Sequence, residues 1–246
     1  MDRLIYTSLT AMRGAMARQT TTASNLANAN TTGFRAEMAN VSPLWTTGGP
    51  NNGRVLASEE VLAADMTAGA IKETGRSLDI ALQGDALLAV QAKDGDEAYT
   101  RRGDLQLSET GLLTTGDGLP VLGEGGPVTL PPAESIRIES DGTVWIVPEG
   151  GDPAQPQQVE RLKLTTPAGS DIVKGMDGAF RVRGGGALPA DPEAQLTSGA
   201  LEESNVNSTQ ALVDMIDASR AWETQIKLLG TARELDDAGA ELMRLQ

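Results

Sequence analysis

The 246-residue chain has neither cysteine nor histidine. That removes thiolate nucleophiles, Cys or His metal sites, Ser-His and Cys-His catalytic pairs, and disulfides. It does not fix a redox compartment, because a chain without cysteine suits either side of a membrane. Aromatic residues are scarce: three Trp, two Tyr and two Phe, 3% of the chain. The core must then come from Leu, Val, Ile and Ala, which each bury less area than a ring. Basic residues are outnumbered, 20 to 34 acidic, for a net charge of −14. Such a surface repels phosphate backbones and anionic lipid, so nucleic-acid and membrane-surface binding are disfavoured; solubility is the simpler use of the charge. No apolar run approaches the roughly 18 residues of a membrane span. Residues Met1 to Thr10 lack an uninterrupted apolar stretch before a small-residue cleavage site. The expectation is a protein that stays in the cell or leaves without a cleaved signal.

What the chain does have is patterned. Ile5, Leu9, Met12, Met16, Gln19, Ala23 and Leu26 follow alternating spacings of four and three, and Gln19 alone is polar. This is a heptad seam, which predicts a helix packed along another helix over about 23 residues, or roughly 35 Å. The segment Asn28 to Gly33 ends it, since Asn and Gly tolerate the left-handed conformation that closes a helix. Phe34, just beyond, is placed to pack back on the last turn. At the other end, Leu212, Met215, Ser219, Trp222, Ile226 and Leu229 form a second seam. Leu228, Ala232, Leu235 and Leu242 continue it one position earlier, the drift of a straight helix carrying a 3.5-residue pattern. Asn207 with Gln210 predicts a capping box at its start.

Between the seams the character changes. Short apolar runs of strand length occur at Leu78–Leu82, Leu87–Val90, Ala98–Arg101, Leu105–Leu107, Ser135–Ile138, Thr143–Val147 and Leu162–Leu164. The dipeptides Gly84-Asp85, Asp94-Gly95, Asp117-Gly118, Asp141-Gly142 and Asp177-Gly178 punctuate them, in a chain holding 28 glycines. This reads as an all-β domain of many short strands. The expected fold is therefore α+β: long terminal helices pairing in a coiled-coil-like layer, with the β domain inserted. The expected boundaries are 1–34 for the first helix, 35–77 for an extended connector and 78–183 for the β domain. A second connector spans 184–204 and the last helix 205–246. The first connector includes Thr46 to Gly53, too polar for a core.

The run Ala23-Ser-Asn-Leu-Ala-Asn-Ala-Asn-Thr-Thr-Gly-Phe-Arg35 resembles the N-terminal signature of the bacterial flagellar rod and hook protein family. Met1-Asp-Arg-Leu-Ile-Tyr-Thr7 is similar to the opening of its proximal rod members. Thr74 to Asp85, Tyr99-Thr-Arg-Arg-Gly103 and Pro120 to Pro127 resemble the family's β domain, and Ser198-Gly-Ala-Leu-Glu-Glu-Ser-Asn-Val206 its C-terminal signature. Ala86-Leu87-Leu88 departs from the glycine and aromatics common there. The resemblance spans nearly the whole chain, in the family's order. It implies a structural subunit of the axial rod that crosses the periplasm, exported unfolded by the flagellar export apparatus without signal cleavage and assembled with copies of itself and other rod proteins. It implies no cofactor and no membrane insertion.

The residues expected to matter are thus an assembly seam and a joint. The seam comprises Ile5, Leu9, Met12, Met16, Ala23, Leu26, Leu212, Met215, Trp222, Ile226, Leu229 and Leu235; the joint comprises Asn25, Asn28, Gly33 and Phe34. For each seam taken alone, an ordinary intramolecular hairpin is the competing reading. The rival function is a carboxylate-dependent hydrolase using Asp94, Asp96, Glu97 or Asp141, although Asp-Gly is ordinary turn chemistry. Asp94-Gly-Asp96 lacks the remaining ligands of a calcium loop, and Gly184-Gly185-Gly186 has no following Lys-Ser or Lys-Thr to make a phosphate loop. A surface-binding β domain is a third class, but it leaves the terminal helices unexplained.

Overall fold

A computed structural model describes residues 2–45, 55–175 and 177–244, without the side chains of 2–7, 39–45, 55–63, 236, 237 and 239–244. It is a mixed α and β structure of two long helices and many short strands. The helices are α1 (Asp2–Ala27) and α2 (Ser208–Arg244). In chain order the strands begin β1 (Glu37–Trp45), β2 (Val55–Ala64), β3 (Ile71–Glu73), β4 (Ile80–Leu82), β5 (Leu87–Gln91) and β6 (Glu97–Thr100). Next come β7 (Leu105–Leu107), β8 (Leu113–Thr115), β9 (Leu122–Gly123), β10 (Gly126–Pro127), β11 (Ala133–Ile138) and β12 (Thr143–Pro148). The rest are β13 (Gln157–Arg161), β14 (Leu164–Thr165), β15 (Ile172–Lys174), β16 (Phe180–Val182), β17 (Leu196–Ser198) and β18 (Ala200–Glu202). The chain divides into two compact units, a helical one (1–27, 37–63, 207–246) and a β one (28–36, 64–206).

In the helical unit α1 and α2 touch, and α1 also touches β1 of the β1–β2 hairpin. One groove between the helices is lined by Thr21, Thr22 and Asn25 with Asp214 and Asp217, the next by Thr10, Gly14 and Arg18 with Ala221 and Gln225. The order reverses between the two, so the helices run antiparallel. The Thr20-Thr21-Thr22 run is β-branched and a poor helix former. Two of its hydroxyls are satisfied by donating back to the carbonyls of Met16 and Ala17. At the start of α2, Asn207 Oδ1 accepts from the Gln210 N–H at 3.1 Å and its carbonyl accepts from Ala211. The expected capping box is only half formed: the Gln210 amide instead donates to Asp214, one turn on, at 2.8 Å.

The stretch expected as an extended connector carries β1, β2 and β3; its polar Thr46–Gly53 segment lies outside the described residues. All five turn dipeptides hold their glycine at positive φ, where other residues are strained. The β unit contains a five-stranded sheet in the order β14-β5-β6-β16-β15, a three-stranded sheet β11-β12-β13, and strand pairs that include β4-β17 and β3-β18. Strand β5 is buried on both faces: Leu88 and Val90 enter the main core, Leu87 and Ala89 a smaller cluster with Tyr99, Phe180 and Leu188. The core is otherwise aliphatic, as the scarcity of rings requires. The two closing pairs are long-range, joining the segment 71–82 to the segment 196–202.

Candidate functional site

On α2 the half-buried and buried positions are Ala211, Met215, Ala218, Trp222, Gln225, Leu229 and Ala232, spaced alternately by four and three. Three of the expected seam residues, Met215, Trp222 and Leu229, belong to this stripe. Leu212, Ile226 and Leu235 do not; they are 50%, 49% and 65% exposed. On α1 the buried residues are small: Ser8, Gly14, Ala15 and Thr21. Of the expected seam there, Met12 and Leu26 are half-buried, Leu9, Met16 and Ala23 are exposed, and the side chain of Ile5 lies outside the described residues. A shift of one residue turns a helix by about 100°, so the contact stripes lie beside the most apolar ones. The sequence pattern marks the large side chains, whereas small ones let two backbones approach.

The joint follows. Asn25 pairs its side-chain amide with the backbone of Glu37, accepting from the N–H at 2.7 Å and donating to the carbonyl at 2.9 Å. Asn28 holds the next turn: its carbonyl accepts from the Thr31 N–H and its side chain from the Thr31 hydroxyl, each at 3.1 Å. Gly33 sits at φ +65°, and a Cβ there would lie 2.4 Å from the Arg101 carbonyl oxygen. Its N–H donates to the Glu202 carbonyl at 2.7 Å. Glycine is therefore required twice over, by backbone conformation and by close approach. The Phe34 ring lies under the Lys174 ammonium, 3.5 Å from ring centroid to Nζ, a cation–π contact. Lys174 also donates to the Arg35 carbonyl at 2.8 Å.

At the centre of the β unit's end of the joint is an ionic knot that the sequence did not single out. Arg35, Arg101 and Glu202 are 1%, 2% and 1% exposed. One Glu202 oxygen takes Arg35 at 2.7 Å and the Gly69 N–H at 2.8 Å. The other takes Arg101 through two nitrogens, at 2.6 and 2.8 Å. Arg101 spends its remaining donors on the carbonyls of Leu82, Gly84 and Ala86. Arg35 reaches the Thr67 carbonyl, while its Nε finds no partner among the described residues. Burial pushes the Arg35 pKa down; Glu202 opposes that, and the neighbouring Arg101 charge adds to it. Beside the knot, Asn205 accepts from the Ala36 N–H at 2.7 Å and donates to the carbonyls of Asp65 and Thr67. Three motifs far apart in sequence, Gly33-Phe34-Arg35, Arg101-Arg102-Gly103 and Glu202-Glu203-Ser204-Asn205, thus meet at one place.

Three of the four candidate acids, Asp94, Glu97 and Asp141, are occupied with structure. Asp94 accepts from the Asp96 N–H at 3.1 Å, closing its turn. Glu97 is held by Lys163 at 2.7 Å and accepts from the Tyr99 hydroxyl, also at 2.7 Å. Burial pushes that phenol up to about 12. Asp141 accepts from the Thr143 N–H and hydroxyl, bonds that hold its carboxyl below the usual range. Among the described residues no group of three or more His, Cys, Asp or Glu is placed to hold a metal, and no helix is long and apolar enough to cross a membrane.

Known proteins match along the whole chain. The family model described as "Flagella basal body rod protein" matches residues 5–35, "Flagellar hook protein FlgE/F/G D1 domain" 81–146, and "Flagellar basal body rod FlgEFG protein C-terminal" 197–242. The flagellar basal-body rod protein FlgF of Salmonella typhimurium (strain LT2) is 40% identical, with 100% of both chains covered. That of Escherichia coli (strain K12) is 43% identical over 97% of this chain and 96% of its own. The FlgG rod protein of Bacillus subtilis (strain 168) is 30% identical over 96% and 97%. Nothing in these matches supports the hydrolase alternative. The three family matches fall on the two helices and the β core between them, and the chain belongs to the FlgF family of flagellar basal-body rod proteins, a structural family and not an enzymatic one.

Proposed function

We propose that this rod subunit assembles through the outward apolar stripes of α1 and α2, against copies of itself and other rod proteins. The observation that carries the reading is the mismatch of faces. The helices meet through small and mixed residues, while Leu9, Met16, Leu212, Val213, Ile216, Ile226 and Leu228 stay exposed. Each such side chain buried against a neighbour contributes about 1.5–3 kcal/mol before ordering costs. In this reading 1–34 and 205–246 serve as the assembly domain and 78–183 as the body of the β domain. The joint residues Asn25, Asn28, Gly33 and Phe34 set how the chain leaves α1.

The same reading places the subunit in the rod where it crosses the periplasm, delivered by the flagellar export apparatus with α1 kept in the mature protein. Packing of α1 on α2 within one compact unit supports its retention. The test is a strain carrying Leu9→Asp or Ile226→Asp. Both positions are solvated in the subunit, so the purified variants should keep wild-type circular dichroism and melting, while isolated basal bodies viewed by electron microscopy lack a complete rod. Complete rods and normal swimming in both variants would remove the stripes from the assembly surface.

A further inference from the structure

We infer that the β unit cannot close its core until the C-terminal segment Leu196–Asn205 has joined it, so that the unit folds in one late step rather than from residues 78–183 outward. The inference concerns folding and does not rest on the proposed assembly surface.

Three observations carry it. The first is pairing. Strand β4, whose Ile80, Ala81 and Leu82 are all buried, has β17 as its partner strand, and β3 has β18. Without the late segment, β4 would keep the Ile80 N–H bond to the Gly103 carbonyl and the Arg101 bond to the Leu82 carbonyl but lose its ladder to β17, leaving buried backbone groups unmet, which native cores avoid. The second is charge. Arg101 is held inward by three carbonyls, and the carboxylate bonded to it among the described residues belongs to Glu202, 101 positions later. Until Glu202 arrives, a compact intermediate would enclose a guanidinium with no counter-ion, and such an intermediate stays open instead. The third is convergence. The early segment is fixed by the same late one: Gly33 donates to the Glu202 carbonyl, Arg35 binds the Glu202 carboxylate, and the Ala36 N–H binds Asn205. Loop closure on this scale must precede the contacts that reward it, so the rate-limiting step contains the closure. Any process that hands the chain over from its N-terminus therefore receives an open β unit until residue 202 or so is free.

The experiment is refolding of the full chain from denaturant, with pulsed hydrogen exchange read by mass spectrometry on peptides covering β4, β5–β6 and β17–β18. The expected result is that β5–β6 amides gain protection no earlier than those of β17 and β18. Leu196→Ala, or the milder Ala200→Gly if the first does not fold, should slow folding by about the factor by which it lowers the folding equilibrium constant, leaving unfolding nearly unchanged. Protection of Leu87–Thr100 in a phase that precedes protection of Leu196–Glu202 overturns the inference. So does a variant whose whole effect falls on the unfolding rate.

Discussion

Single residues in the joint act through backbone space and buried charge. Gly33→Val must place a Cβ 2.4 Å from the Arg101 carbonyl at a φ of +65°. The left-handed conformation alone costs about 1–2 kcal/mol for a residue with a Cβ, and the clash adds to it. The urea midpoint of the β unit should fall, with the slope unchanged. In the knot the order of effects matters more than their size. Glu202→Ala leaves two enclosed cations and should cost the upper part of the roughly 3–5 kcal/mol range for a broken buried pair. Arg35→Met leaves the Arg101–Glu202 pair whole and should cost less; equal losses on denaturation would show that the knot does not work as a charge unit. Protons act on other residues. The carboxyls of Asp141 and Asp177 are held below their ordinary value of 3.8, the first chiefly by the Thr143 N–H, the second chiefly by Arg181. A depressed folded pKa gives stability that is present above the unfolded value and lost as pH falls through the folded one. Melting temperature should drop below about pH 4, less steeply in Asp141→Asn. Gly33 was legible in the sequence because a loop that closes a helix needs a residue at positive φ, and glycine takes that conformation at least cost. Arg35, Arg101 and Glu202 were not: their ionic partners lie 101 or more positions away in sequence, and a charged side chain with no visible partner reads as solvated.

The two helices were legible as elements because their apolar periodicity runs for several turns, and the strands were legible where a turn dipeptide closed them. Strands β9, β10 and β14 have only two residues each and carry no period to read. Periodicity marked the contact face only in part: Met215, Trp222 and Leu229 lie on it, while Leu212, Ile226 and Leu235 are exposed. Leu9 and Leu212 advertise a seam, yet among the described residues the buried positions are Ser8, Gly14, Ala15 and Thr21 on α1 and Ala211 on α2, small side chains that add little to an apolar period. Ala15→Leu tests this at the scale of the helix pair. Ala15 is 2% exposed, and overpacking such a site costs about 1–3 kcal/mol. Loss of α-helical ellipticity at lower temperature than wild type is expected, with the β-unit transition unmoved. Met16→Leu, on the exposed stripe, should leave both transitions in place.

At the scale of the molecule, the division into two units governs what proteolysis leaves behind. Residues 28–36 belong to the β unit and are tied to it by the Gly33, Arg35 and Ala36 bonds. A protease that cuts near residue 27, within 37–63 and after 206 should therefore leave a β-rich core of residues 64–206 that still carries the 28–36 peptide, as native mass spectrometry would show. Recovery of the core without that peptide would mean that the joint bonds do not survive loss of the covalent chain. The rival chemistry has a whole-chain test as well. Asp94→Asn with Asp96→Asn should be silent in motility and stability, whereas Glu97→Gln should lower stability modestly through the Lys163 and Tyr99 bonds without affecting assembly.

The two-to-one arithmetic of Arg35, Glu202 and Arg101 limits which substitutions this chain can accept at the knot. An ordinary ion pair can be inverted in two substitutions, through an intermediate with one mismatched charge. Here inversion needs three, and every partial exchange puts two like charges in contact at a place with almost no access to water. Even the complete exchange fails, because a carboxylate at position 101 would face the carbonyl oxygens of Leu82, Gly84 and Ala86, which accept hydrogen bonds and donate none. Charge exchange therefore cannot reverse the polarity of this knot, and a change at any of its three residues has to pass through a neutral side chain.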